Sequence, residues 1–177
     1  MQPSFPPELA SPPRLSPAEL AAWRSFLRAH TVLTRVLERE LVQSHGLPLA
    51  EYDVLVQLQE APEGALRMAQ LADRVLLSRS GLTRLVERLE HQGLVRRQIC
   101  RADARGAFAV ITEQGRRRLR EAAPSHLRSV REHFAAALRP EQLEAVQEAM
   151  ERLATAPGGC AQALAELAAD GAAESGG

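Results

Sequence analysis

Lysine is absent from this chain: all 22 basic residues are arginine, and 22 acidic residues balance them to a formal charge of zero. That balance argues against a protein that binds polyanions over its whole surface. Aromatic residues make up only 3% of a sequence that is 45% hydrophobic. The core must then be leucine, valine and alanine, which suits helix packing better than a sandwich of aromatic-rich strands. Two cysteines, Cys100 and Cys160, make no disulfide framework and read as plain thiols. No run approaches the roughly 18 apolar residues of a membrane span. Residues 1–14 lack the basic and apolar regions of a signal peptide, so the expected location is cytoplasmic. No G-x-S-x-G, P-loop or H-E-x-x-H is found, and the five histidines show no metal-ligand spacing. The expectation is a protein that is not an enzyme and has no metal and no cofactor.

The charge is unevenly spread. Residues 65–118 hold 12 arginines against five acids, a net of +7, and the remainder carries −7. A basic middle between acidic ends is the footprint of nucleic-acid binding, though chance clustering would give the same tally.

Residues 1–15 carry five prolines and read as a flexible arm. Ser16-Pro17-Ala18-Glu19 starts a helix, with serine at the N-cap, proline in the first turn and an acid at the third position. Apolar residues at helical spacing carry it to about residue 44, where His45-Gly46-Leu47-Pro48 stops it. Shorter helices are expected over 50–60, 66–75 and 79–91. Residues 94–100 and 107–112 alternate as two short strands around an arginine-bearing loop. Thr112 caps a further helix over 113–138, which Pro124 should kink or break. Helices over 140–155 and 160–169 and a frayed tail complete the reading.

Two short helices, a tight turn and a two-stranded hairpin make a winged helix-turn-helix pattern over about residues 67–112. In the second helix, Leu82, Leu85, Val86 and Leu89 form one apolar stripe. The other face carries Arg79, Ser80, Thr83, Arg84, Glu87, Arg88 and His91, with Ser78 as N-cap. A small, hydroxylated and basic N-terminal half is what a helix entering the major groove needs. The competing reading is an ordinary surface helix whose arginines pair with Glu87 and Glu90. Arg96, Arg97, Arg101 and Arg105 lie on or beside the hairpin, where arginine fits a narrow minor groove.

The ordered segments Leu71-Ala72-Asp73-Arg74-Val75, Ser78 through Glu90, Gly93-Leu94-Val95-Arg96-Arg97, Asp103-Ala104-Arg105-Gly106 and Ile111-Thr112-Glu113-Gln114-Gly115 resemble the MarR (multiple antibiotic resistance regulator) family. The resemblance covers about residues 16–155. It implies a mainly α fold with a small β-hairpin wing (α+β), in which N- and C-terminal helices pair two chains. The implied organisation is an arm at 1–15, a dimerisation helix at 16–49, a winged DNA-binding lobe at 50–112, C-terminal dimerisation helices at 113–169 and a disordered tail at 170–177. The implied function is a transcriptional regulator, usually a repressor, that binds a double-stranded, pseudo-palindromic operator as a homodimer. Ser78, Arg79, Ser80, Thr83 and Arg84 fall on the recognition helix. Arg105 falls on the wing tip, and Asp103 on the acid that orients wing arginines. Arg88, Arg97 and Arg101 complete the candidate DNA contacts. One departure is Leu76, where many such turns carry glycine.

Members of that family often respond to small aromatic acids or oxidants. A small aromatic ligand here would meet Trp23, His30, Tyr52 and Arg116, though core or dimer packing is the preferred reading for Trp23 and His30. The alternatives to a DNA regulator are a winged-helix interaction module and a ligand-binding protein that does not read DNA.

Overall fold

A computed structural model describes residues 14–75, 79–99 and 107–155. The expected features at residues 1–13, 76–78, 100–106 and 156–177 lie outside the described residues. They include the Leu76-Leu77 turn, the loop between the wing strands, both cysteines and the helix over 160–169.

The chain begins with α1 (Pro17–His45), whose start is held by a reciprocal cap. The Ser16 amide donates to Glu19 Oε2 at 2.7 Å, and the Glu19 amide donates to Ser16 Oγ at 3.3 Å. The chain divides within this helix into two compact units, residues 1–36 and 37–177. In the first, Trp23 stacks on Phe26 (centroids 5.9 Å apart) and Phe26 on His30 (6.2 Å), all three exposed.

The second unit holds the core. Gly46, at φ +58°, ends α1. Next comes α2 (Leu49–Glu60), which buries Tyr52, Val54, Leu55 and Leu58 on one face. A single 3-10 turn at Pro62–Gly64 leads into β1 (Ala65–Arg67), then α3 (Met68–Arg74), α4 (Arg79–His91), β2 (Val95–Ile99) and β3 (Ala107–Ile111). The strands form an antiparallel sheet in the order β1-β3-β2, with Leu66 opposite Ala109 and Arg97 opposite Ala109 on the other side. Then follow α5 (Glu113–His133), a 3-10 turn at Ala135–Ala137 and α6 (Pro140–Thr155).

Two expectations need correction. The helix expected from residue 66 begins at Met68, because Ala65–Arg67 pairs with β3 and adds a third strand to the wing sheet. The helix expected over 113–138 runs unbroken through Pro124 but stops at His133. A helix-interior proline costs about 3 kcal/mol. Three contacts after it offset that cost: His45 Nε2 and Ser125 Oγ share a hydrogen bond of 2.7 Å, Tyr52 packs on His126, and His133 Nε2 lies 2.8 Å from Glu40 Oε1.

The junctions around α4 fix the wing. Gly93, at φ +71°, closes the helix: its amide donates to the Glu90 carbonyl and the Leu94 amide to the Leu89 carbonyl, both at 2.9 Å. Thr112 Oγ1 donates to the Gly93 carbonyl at 2.7 Å and accepts from the Gly115 amide at 3.0 Å, capping α5. Gly115 lies so close to the Leu94 carbonyl that a Cβ there would sit 2.2 Å from it.

Candidate nucleic-acid interface

The seating of α4 begins with its apolar stripe. Leu82, Leu85, Val86 and Leu89 are all buried, so which face of α4 turns to the core follows from where leucine and valine fall in its sequence. The opposite face is turned out. Ser80 and Arg84 are exposed and Thr83 is half-buried. Arg79 is the first residue of the helix. Among the described residues Arg84 forms no ion pair. Ser78, Arg101, Asp103 and Arg105 lie outside the described residues.

Two of the candidate arginines are engaged within the lobe. Arg97, on the core-facing side of β2, reaches back to α4. Its Nη2 donates to the Thr83 carbonyl at 3.1 Å and to Glu87 Oε1 at 3.4 Å, while its Nε lies 3.6 Å from Glu90 Oε2. Its own amide donates to Glu90 Oε1 at 3.0 Å. Arg88 Nε donates to Glu51 Oε1 at 3.2 Å. The Arg67 guanidinium lies 5.1 Å from the centroid of Phe108 on the wing sheet.

The candidate ligand residues have the following surroundings. Trp23 and His30 belong to the stacked row on α1. Tyr52 is buried against His126, with ring centroids 4.5 Å apart. Burial pushes the Tyr52 hydroxyl's pKa up and that of the His126 imidazole down, so both stay neutral. Arg116 Nη1 donates to Gln59 Oε1 at 2.6 Å, and its guanidinium covers Gly64 so closely that no Cβ would fit there. Arg117 and Arg118, the next two residues after Arg116, line a shallow polar depression of about 290 Å³ with Gln92, Gln114 and Glu121.

The residue that sequence reasoning missed is Glu51. It is 3% exposed, and a single acid on the apolar face of α2, four residues after Leu47 and four before Leu55, was the available sign.

The sequence model of the MarR family matches residues 45–106. The HTH-type transcriptional regulator MhqR of Bacillus subtilis is 31% identical over 112 residues, 63% of this chain and 75% of that protein. Sco3205 of Streptomyces coelicolor, a MarR family transcriptional regulator solved in complex with DNA, is 40% identical. The match covers 80% of this chain and 92% of that one, at a TM-score of 0.75. AbsC, a MarR family regulator from the same organism, is 39% identical over 80% of this chain and 95% of that one, at a TM-score of 0.74.

Proposed function

Because this chain belongs to the MarR family of transcriptional regulators, we propose that it binds a pseudo-palindromic duplex operator as a homodimer and represses transcription there. The observation that carries this reading is α4, whose N-terminal half turns Arg84 to solvent while its leucine stripe anchors it to the lobe. In the reading, Ser78, Arg79, Ser80, Thr83 and Arg84 enter the major groove. Arg101 and Arg105, oriented by Asp103, meet the adjacent minor groove. A relative at 40% identity has been solved in complex with DNA, which supports DNA binding by this chain.

A homodimer is supported by apolar side chains left outside the core: Trp23, Phe26 and Leu27 in the first unit, and Leu127, Met150 and Leu153 in the second, are all exposed. Two-fold symmetry then asks for half-sites about one DNA turn, roughly 10 bp, apart.

The test is a gel-shift titration with the promoter region adjoining the protein's own gene, with the folded dimer verified by sedimentation. A shifted band that weakens steeply as salt rises is the expected result. No shift at low salt from a folded dimer overturns the reading.

A further inference from the structure

We propose that Glu51 is a positioning residue for DNA reading: its buried carboxylate clasps Arg88 and Gln92 and thereby fixes the rotation at which α4 presents Arg84. The assignment rests on the proposed reading of DNA by α4.

Among the described residues Glu51 is the one buried charged side chain. A carboxylate loses several kcal/mol of hydration on burial and persists only when its oxygens are matched by donors. Here the match is complete and one-sided. Oε1 accepts from Arg88 Nε at 3.2 Å and Oε2 accepts from Gln92 Nε2 at 3.4 Å. Arg88 lies on α4 and Gln92 directly follows its last residue, the Gln92 amide donating to the Arg88 carbonyl at 3.0 Å; they are 37 and 41 residues away in sequence. The acid also sits in the first turn of α2, where the helix dipole favours negative charge.

The donors are four residues apart, and the Gln92 amide continues the helical hydrogen bonding onto the Arg88 carbonyl, so they fall on one line, with Arg84 the next member of it toward the N-terminus of α4. A rigid helix transmits rotation along its length. Holding Arg88 and Gln92 therefore sets the direction in which Arg84 leaves the helix one turn further on. The leucine stripe on the opposite face places α4 coarsely, because apolar packing is not directional. Hydrogen bonds to a fixed carboxylate narrow the setting. On this assignment Arg88 acts through Glu51, although its side chain is 57% exposed and long enough to be taken for a phosphate contact.

The two roles of Arg88 separate in a binding experiment with the full chain. The probes are a duplex selected from random-sequence DNA by the wild-type protein and a scrambled duplex of equal length, each titrated by fluorescence anisotropy over a range of salt. Glu51→Gln and Arg88→Gln should each reduce the preference for the selected duplex about tenfold, the scale of one degraded base contact. The double variant should lose no more than either single one, because both remove the same clasp. Glu51→Gln should leave scrambled-duplex affinity and the salt slope at wild-type values.

If Arg88→Gln weakens both duplexes alike and lowers the salt slope by about one, Arg88 is a phosphate contact and the assignment falls. It falls equally if Glu51→Gln keeps full preference. Should Glu51→Gln fail to fold, the partly exposed Arg88→Gln still decides the matter by the same readouts. A wild-type protein that selects no duplex sinks the DNA reading itself and this assignment with it. A selective wild type with unaltered variants sinks this assignment alone.

Discussion

A guanidinium group contributes to DNA recognition in proportion to the donors its own protein leaves unused. Arg84 is exposed and makes no ion pair among the described residues, whereas Arg97 spends its donors on Thr83 and Glu87. Arg84→Ala should therefore cost roughly 1–3 kcal/mol of operator affinity and relax sequence preference, as a lost base contact does. Anisotropy titrations against the operator and a scrambled duplex measure both, and unaltered discrimination would reduce Arg84 to a phosphate contact. His126 gives a prediction about pH. Burial holds its pKa below the ordinary value of 6.5. The unfolded chain therefore takes up this proton first as pH falls below about 6.5, and stability drops from there down to the lowered folded value. The melting temperature should fall between about pH 7.5 and about pH 5.5. His126→Phe, which keeps a ring against Tyr52, should flatten that fall, and an equal slope in the variant would show that other groups carry the pH dependence.

At the scale of elements, the junctions are tighter than the elements themselves. Gly115 begins α5 against the Leu94 carbonyl and the Ile111 side chain, with no room for a methyl group. Gly115→Ala should destabilise the fold by about 1–3 kcal/mol in urea unfolding, through overpacking against backbone that cannot retreat. Much of this level could be read from sequence. The bounds of α4 and α6, the cap at Thr112 and the buried stripe of α4 follow from local rules of periodicity and capping. What could not be read was decided by tertiary contacts. Three residues at Ala65–Arg67 are too few to show alternation, and their pairing with β3 depends on residues more than 40 positions away. Pro124 promised a break because its lost hydrogen bond is visible in sequence, while the contacts of Ser125, His126 and His133 that outweigh it are not. The candidate interface divided in the same way. A helix face is a local pattern and was legible, but which arginines on it are already paired depends on Glu51, Glu87 and Glu90.

For the whole molecule, a formal charge of zero conceals a basic middle segment between acidic ends, and the proposed dimer would bring two such segments to one duplex. Sedimentation equilibrium should find a dimer. Phe26→Asp, which puts a charge into the exposed aromatic row of α1, should shift the protein toward monomer and abolish cooperative operator binding. A dimer undisturbed by that change would move the interface elsewhere. The Arg97 brace carries a mechanical consequence at this scale. Strand β2 and helix α4 are bolted together by one side chain, and the Gly93–Thr112 junction closes the same ring. The described part of the wing sheet and α4 are thereby held together within the lobe. On the proposed reading, the distance within a half-site between the bases met by α4 and the groove met by the wing would then be a fixed gauge, and inserting one base pair there should sharply weaken operator binding.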